Sequence, residues 1–299
     1  MFFSDAGTIS FPGLGIGDFD PPTGFVIPFI NIEIKFYAVI IAFGLLLAVI
    51  YCMRRAKQFG LTSDDIIDVV LVAIVPAIIG ARVYYVIPKW DDFFGPNNNW
   101  YDCLNIRKGG LAIYGGLIAA MLAATVFCLT SKKRRRKLLP YLDIASLGFL
   151  IGQAVGRWGN FFNREAYGYE TDNFLRMGLK FENGYQIFVH PTFLYESVWN
   201  IVGLILLHFI SKKRKFDGQI LLCYIAWYGL GRAFIEGLRT DSLPAGSFRL
   251  SQIVAAVSCV VAVGILIYVL AFKRPDPQKM LVNRVAAERK AASEEKTEE

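Results

Sequence analysis

The fold class is decided by IVAAVSCVVAVGILIYVLAF, residues 253–272, which contains no charged side chain. A helix needs roughly 20 apolar residues to cross the hydrocarbon core of a bilayer. Lys273 and Arg274 follow directly, as basic residues commonly do at the cytoplasmic end of a span. The stretch therefore predicts a membrane-spanning helix.

Similar apolar blocks recur along the whole chain, which has 299 residues and is 55% hydrophobic. Blocks of this length favour an all-α integral membrane protein over soluble domains. We expect one membrane domain over 33–272, an N-terminal extracytoplasmic segment over 1–32 and a charged cytoplasmic tail over 273–299. The seven predicted spans are 33–53, 65–88, 109–130, 140–157, 191–211, 217–237 and 250–272.

Basic clusters follow alternate predicted spans, at 54–57, 132–137, 212–215 and 273–274. Because Lys and Arg are enriched in cytoplasmic loops, these four segments are predicted to be cytoplasmic and the N-terminus to be outside. The loops 89–108, 158–190 and 238–249 then also lie outside. The segment 158–190 is long and has no helical period, so we expect a small extracytoplasmic cap there.

Composition argues against several other classes of protein. The net charge of +7 resides mainly at predicted membrane edges, where anionic lipid accounts for it and nucleic acid is not needed. The five cysteines show no paired spacing. With His190 and His208 as the only histidines, a histidine-based metal site has almost no ligands, and we expect no metal.

A polar run, GRWGNFFNREAYG at 156–168, stands at the outer end of the fourth predicted span. Charge in such a place is costly and usually functional. Arg157 offers forked donors that match a phosphate or carboxylate, although it could instead be an interfacial anchor. Asn160 can add an amide donor to the same anion. Glu165 could pair with an arginine, bind a glycerol hydroxyl or accept a proton.

Gly148, Gly152 and Gly156, which opens the run, recur at intervals of four residues. Small residues at that spacing are typical of close helix packing in membranes. The same bare face could instead admit a lipid headgroup or glycerol beside Arg157. The glycines alone do not decide between these interpretations.

The sixth predicted span ends in a second polar set, with Tyr228, Arg232, Glu236 and Arg239 spaced to share one helix face. Such a stripe should face the protein interior or a wet cavity. An ion pair between Arg232 and Glu236 could merely join helices. Alternatively, Arg232 and Arg157 could flank one phosphate.

Three further fragments have simple structural interpretations. His190 opens the fifth predicted span, where a lone histidine is more often a cap than a catalyst. Tyr37 is by default an interfacial aromatic residue. The acidic segment 63–68 resembles a metal box, but Ser63 or Asp64 as a helix cap explains it better.

Taken together, these residues resemble the bacterial prolipoprotein diacylglyceryl transferases. The family signature Gly-Arg-x-Gly-Asn-Phe-x-Asn-x-Glu-x-x-Gly is matched at every fixed position over 156–168, and segments 190–196 and 228–236 also resemble the family's. The resemblance implies a seven-span enzyme of the bacterial inner membrane with its active site towards the outside. It would transfer the diacylglyceryl group of phosphatidylglycerol to the lipobox cysteine of a prolipoprotein, forming a thioether and releasing glycerol phosphate.

The resemblance and the residues together predict functional positions, and the expected reaction requires no metal or cofactor. The residues predicted to be catalytic are Arg157, Arg232, Glu165, Glu236 and Tyr114. The residues predicted to bind phosphatidylglycerol are Arg157, Asn160, Asn163, Gly168, Tyr37 and Tyr228.

One position departs from the family pattern. Many members have His-Gly-Gly-Leu at the start of the third span, with the histidine proposed as the base, whereas this chain has Tyr114-Gly115-Gly116-Leu117. A tyrosine ordinarily titrates near pH 10 and is a poor base at neutral pH. Either an arginine activates Tyr114, or the histidine is not essential, or Glu165 or Glu236 is the base. A paralogue with altered activity is a further alternative.

Two other classes of function compete with transfer. A small-molecule transporter would line its path with intramembrane Arg and Glu, but it predicts inverted repeats, and the sequence has none that we can detect. A structural or chaperone-like membrane protein would leave the stripe over 228–239 unexplained.

Overall fold

Helices make up most of the computed structural model, which describes residues 6–28, 32–95, 99–105, 109–240, 244–245 and 248–298. The helices are α1 Phe36–Arg55, α2 Ser63–Val86, α3 Trp90–Phe94, α4 Ile113–Leu129, α5 Lys132–Arg135, α6 Leu138–Phe162, α7 Thr192–Lys212, α8 Gln219–Ile235, α9 Leu250–Ile267 and α10 Leu281–Glu298.

Each predicted span overlaps one helix. In chain order these helices are α1, α2, α4, α6, α7, α8 and α9. Among the described residues, five helices are long and apolar enough to cross a membrane: Phe36–Phe59, Ser63–Phe94, Leu138–Phe162, Thr192–Lys212 and Ser251–Lys273. Helices α4 and α8 have 17 residues each. At 1.5 Å per residue they are shorter than a typical hydrocarbon core of about 30 Å. The integral membrane class is thus supported, whereas the count of seven spans stays a prediction.

Outside the spans the structure corrects the all-α expectation, because the chain also forms strands. Strands β1 Ala6–Phe11, β2 Ile16–Phe19, β5 Met177–Phe181 and β6 Gln186–Val189 form one antiparallel sheet in the order β2-β1-β5-β6. Two hairpins pair β3 Gly24–Ile27 with β4 Ile32–Lys35, and β7 Pro244–Ala245 with β8 Phe248–Arg249. The four-stranded sheet, called here the sheet cap, joins the N-terminal segment to the long loop after α6.

Apolar side chains fix the sheet cap onto the end of α6. Ile9 and Leu179 are fully buried between the strands, and Phe193 of α7 joins the same core. Phe161, in the last turn of α6, stacks on Phe11 with the ring centroids 6.4 Å apart. The segment that follows α6 is therefore held by a core built from three distant parts of the chain.

The chain divides into two compact units, Met1–Cys52 with Leu142–Met280 and Met53–Tyr141 with Leu281–Glu299. In the second unit, α2 and α4 pack closely. A Cβ on Gly115 of α4 would lie 2.3 Å from the carbonyl oxygen of Gly80 of α2, so the two backbones leave no room for a side chain there. The tail is also anchored there. A Cβ on Gly60 would lie 2.7 Å from the backbone nitrogen of Val282, so α10 begins directly against the turn that follows α1.

The acidic segment at the start of α2 is a helix cap, but the capping residue is Thr62 and not Ser63 or Asp64. The Thr62 hydroxyl accepts from the Asp65 backbone N–H at 3.1 Å, and the Asp65 carboxylate accepts from the Thr62 backbone N–H at 2.9 Å. Lys137 then pairs with Asp65 at 2.6 Å. This reciprocal capping box accounts for the acidic residue without a metal.

Candidate active site

Arg157 lies on α6, which continues to Phe162, beyond the predicted end of the span at residue 157. Its guanidinium therefore projects from a helix more than one turn before the helix ends. Nη2 of Arg157 contacts the Glu196 carboxylate at 2.6 Å, and Nη1 donates to the Asn160 side-chain oxygen at 3.2 Å. A helix thus presents Arg157 and Asn160, three residues apart, on the same side.

Glu196 is the centre of the ion cluster and was not among the predicted site residues. Its carboxylate is 4% exposed and contacts Arg157 at 2.6 Å, Arg232 at 3.3 Å and Arg239 at 3.2 Å. Three cations that share one buried carboxylate compensate its desolvation. The available signals were a carboxylate inside an apolar span and the place of Arg239 on the predicted polar stripe.

The second half of the cluster lies along α8. Arg232 pairs with Glu236 at 2.6 Å, and the Ser251 hydroxyl donates to the other Glu236 oxygen at 2.7 Å. The predicted stripe therefore faces the protein interior, and the ion pair proposed from spacing is present. Tyr228 stacks on Tyr224 with centroids 5.8 Å apart and lines a small cavity beside Arg232.

Glu165 differs from the other site carboxylates in its partners. Among the described residues, its carboxylate is bound by side-chain amides and by no arginine. Asn160 donates to it at 2.9 Å and Asn163 at 3.3 Å. The side chain is exposed, on the turn that follows Phe162. Glu165 is therefore accessible to a substrate group, whereas the carboxylates of Glu196 and Glu236 are buried against arginines.

Tyr37 lies beside Gly159, near the end of α6. A Cβ on Gly159 would lie 2.7 Å from Cδ2 of the Tyr37 ring, so the missing side chain makes room for the ring. Tyr37 is also close enough to Arg157 and Glu165 for electrostatic interaction. The structure thus brings Tyr37 into the cluster, where the sequence alone indicated an interfacial aromatic residue.

Gly168 lies where three backbone segments cross. Its N–H donates to the His190 carbonyl oxygen at 2.9 Å, and its backbone pairs with Arg239 in an isolated bridge. A Cβ there would lie 2.7 Å from both the Cβ of His190 and the carbonyl oxygen of Leu238. Glycine is required because a side chain would push apart the segments that carry the cluster.

The three glycines that lead into the polar run all lie beside α1. A Cβ on Gly148 would lie 3.0 Å from Cys52 Sγ, and one on Gly156 would lie 3.1 Å from Ile41 Cδ1. A Cβ on Gly152 would meet no atom of the described residues within 4 Å. Helix packing therefore explains Gly148 and Gly156, and the Cα of Gly152 also lies beside α1, 3.6 Å from a Cβ built on Gly44.

An apolar cavity of about 410 Å³ opens between α1, α6 and α7. Ile40, Val155 and Ile201 line it, and Trp158 and Phe162 continue its wall beside the polar run. A cavity of this lining suits hydrocarbon, and it starts one residue from Arg157.

Tyr114 is the one predicted site residue that belongs to the second unit, where it opens α4 and is 64% exposed. Arg82 organises the segment before it, donating to the carbonyl oxygens of Asp102, Cys103, Gly109 and Gly110 at 2.7–2.9 Å. In the described residues, no three His, Cys, Asp or Glu side chains gather as a possible metal site.

Long apolar helices and a buried cluster with more arginines than carboxylates define a multi-pass membrane protein that can hold an anionic group. A family model described as prolipoprotein diacylglyceryl transferase matches residues 25–268, and the chain belongs to that family.

Three relatives carry the name phosphatidylglycerol--prolipoprotein diacylglyceryl transferase. The Streptococcus sanguinis protein is 43% identical over 82% of this chain and 94% of its own length. The Clostridium botulinum (strain Langeland) protein is 40% identical over 78% of this chain and 91% of its own length. The Listeria welshimeri protein is 39% identical over 86% and 92%.

Proposed function

We propose that this chain transfers the diacylglyceryl group of phosphatidylglycerol to the lipobox cysteine thiol of a prolipoprotein, the first step of bacterial lipoprotein maturation. The product is a thioether, and glycerol phosphate leaves. Family membership and the names of the relatives support the two substrate classes. The ion cluster supplies the chemistry.

The observation that carries the proposal is that Arg157 and Arg232 contact the same carboxylate, at 2.6 and 3.3 Å. Two guanidinium groups that share one small anion are close enough to share a phosphate, and each keeps further N–H donors. As the ester bond breaks, negative charge grows on the departing phosphate oxygen. Fixed positive charge in a dry site stabilises that charge most in the transition state.

Glu165 is assigned as the base that takes the proton from the substrate thiol. Glu196 and Glu236 are buried and already paired with arginines, so neither carboxylate is accessible to a thiol. Glu165 is exposed, and the amides of Asn160 and Asn163 are its hydrogen-bond donors among the described residues. The thiolate then attacks the glyceryl carbon that bears the phosphate, forming the C–S bond as the C–O bond breaks. The scheme uses no metal or cofactor.

The acyl chains are assigned to the apolar cavity beside Trp158 and to the surrounding bilayer. In this arrangement Arg157, Asn160 and Tyr37 hold the headgroup end of the lipid. Asn163 orients Glu165, whereas Gly168 and Tyr228 shape the walls.

Alternating basic loops support seven spans over 33–272, with the N-terminal segment 1–32 and the active site outside the bacterial inner membrane and the tail 273–299 inside. Labelling single cysteines introduced at residue 173 and residue 290 with a membrane-impermeant reagent in intact cells tests this topology. Labelling at residue 290 and not at residue 173 would contradict it.

The decisive test measures transfer of labelled diacylglyceryl from phosphatidylglycerol to a lipobox peptide. Arg157→Ala removes one donor from the phosphate site and should reduce transfer by ~10²- to 10³-fold or more. Arg176→Ala, an arginine of the sheet cap outside the cluster, is the matched control and should stay active. Near-normal transfer by Arg157→Ala would refute the phosphate assignment.

The same assay separates the candidate bases. Glu165→Gln keeps the shape but loses the proton acceptor, so transfer should fall by ~10²- to 10⁴-fold. Tyr114→Phe should retain transfer close to that of the wild type. If Tyr114→Phe loses transfer and Glu165→Gln keeps it, Tyr114 is the base. Activity that depends on a divalent cation would contradict the metal-free scheme.

A further inference from the structure

Arg164 occupies a strained place in the turn that carries Glu165. Its φ is 52° and that of Ala166 is 57°, so both neighbours of Glu165 adopt the left-handed region. L-residues other than Gly, Asn and Asp avoid this region because Cβ crowds the backbone. Such a turn persists only where its surroundings hold it.

The Arg164 side chain fixes the turn through its hydrogen bonds. It is 7% exposed, and Nη2 donates to the carbonyl oxygens of Gly7 at 3.2 Å and Pro21 at 2.8 Å. The same nitrogen pairs with the carboxylate of Asp20. All three contacts are made by Nη2, so one nitrogen at the tip of the guanidinium binds both ends of the β1–β2 hairpin.

The hairpin that Arg164 grips is itself fixed to α6 and to the sheet. Phe11 and Phe19 both contact the ring of Phe161, with centroid distances of 6.4 and 6.3 Å. Strand β1 pairs with β5 from Ala6 opposite Phe181 to Ser10 opposite Gly178. The N-terminal segment is thus held by the sheet and by α6, and Arg164 connects it to the turn.

We propose that Arg164 is a positioning residue for Glu165, and that the N-terminal hairpin over residues 6–21 is the support against which the reacting carboxylate is aligned. Arg164 fills a variable position of the family signature, so the motif assigns it no role. The inference rests on the proposed role of Glu165 as proton acceptor. Its basis is the pairing of a left-handed backbone with a buried guanidinium that reaches across 143 residues of sequence to Pro21.

Arg164→Gly tests the proposal, because glycine accepts a φ of 52° and removes the guanidinium without adding backbone strain. With the turn released, kcat for transfer should fall by ~10- to 100-fold, as expected for misplacement of a catalytic group by about an ångström. The KM for phosphatidylglycerol should not change, since Arg157 and Arg232 remain. Arg164→Lys retains the charge but replaces the planar guanidinium with a compact ammonium, so its kcat should lie between those of Arg164→Gly and the wild type.

Lys180→Gln is the matched control. It breaks the exposed ion pair of Lys180 with Asp18, 3.2 Å long, which joins the same hairpin to the same sheet. This variant should keep the wild-type kcat and KM, because an exposed pair contributes little to positioning.

Three results would overturn the proposal. If Arg164→Gly keeps its kcat while Glu165→Gln is inactive, Arg164 has no positioning role and the assignment of Glu165 stands. If kcat, KM and thermal stability of Arg164→Gly deteriorate together, the side chain is merely structural. Activity of Glu165→Gln would instead refute the base assignment, and the positioning role with it.

Discussion

At the scale of residues, Glu196 is expected to be the most sensitive single position of the ion cluster. Glu196→Gln would leave Arg157, Arg232 and Arg239 close together without their shared anion. Breaking a buried pair from one side costs about 3–5 kcal/mol, so the free energy of unfolding should fall by about that much. Thermal unfolding of the purified protein in detergent measures the loss.

Phosphatidylglycerol should restore part of that stability, because its phosphate supplies the missing anion. The rise in melting temperature on adding this lipid should therefore be larger for Glu196→Gln than for the wild type. Phosphatidylcholine, whose headgroup carries its own cation, is the control lipid. An equal rise in both proteins would contradict the assignment of the cluster to the phosphate.

The site residues differ in how far the sequence could predict them. Arg157, Asn160 and Glu165 follow from one short run, and Arg232 and Glu236 from helical spacing, because in both cases the partners are local. Glu196 could not be assigned in this way, since its three partners come from α6, from α8 and from the segment after α8. The exposed place of Glu165 and its amide partners likewise depend on the turn after α6, which no local pattern predicts.

At the scale of elements, the start of α8 depends on a residue of α6. Asp143 is fully buried and accepts from the backbone N–H groups of Gly218 at 2.7 Å and Leu221 at 2.9 Å. The N-cap residue Gly218 has no side chain to do this. Asp143 thus fixes the helix that carries Arg232 to the helix that carries Arg157.

Asp143→Ala would leave two buried N–H groups without acceptors, so the free energy of unfolding should fall by about 2–4 kcal/mol. Asp143→Asn retains one acceptor oxygen and should lose less. Chemical unfolding in detergent measures both variants. Equal stability of Asp143→Ala and the wild type would show that water replaces the cap.

The helices were predictable because long apolar blocks have few alternative structures, whereas the sheet was not. Strand β1 pairs with β5, and Ala6 lies opposite Phe181, which is far from it in sequence. Neither segment shows a strong strand pattern alone. Each satisfies its backbone hydrogen bonds through the other, which is a property of the pair.

At the scale of the whole molecule, the membrane class and the family follow from composition and motif, but the division into two units does not. The basic clusters at 54–57 and 132–137 lie near the boundaries at residues 52 and 142, but a cluster of the same kind at 212–215 lies within the first unit, so such clusters do not identify the units. The packing of α10 on the turn at Gly60 is similarly invisible in its charged sequence. Contacts between distant segments, and not local preference, decide both.

The stability of the molecule should depend on pH through His190, which lies outside the helices between β6 and α7. Its ring Nδ1 lies 3.1 Å from the Asn173 amide and 3.3 Å from the Tyr195 hydroxyl. Burial lowers the pKa of this imidazole below its ordinary value of 6.5. The folded protein therefore resists the protonation that the unfolded chain accepts.

The sign follows from proton linkage. Between the lowered pKa and 6.5 the unfolded chain binds more protons than the folded one, so stability decreases as the pH falls through this window. Above pH 6.5 the contribution is complete and constant.

His190→Asn keeps a side-chain amide near Asn173 and Tyr195 but cannot titrate. Melting temperatures measured from about pH 7.5 to about pH 5 should fall more steeply for the wild type than for His190→Asn, because carboxylates titrate in both and cancel in the comparison. Parallel curves would mean that His190 titrates alike in the folded and unfolded chains, and that its surroundings impose no cost on the charged ring.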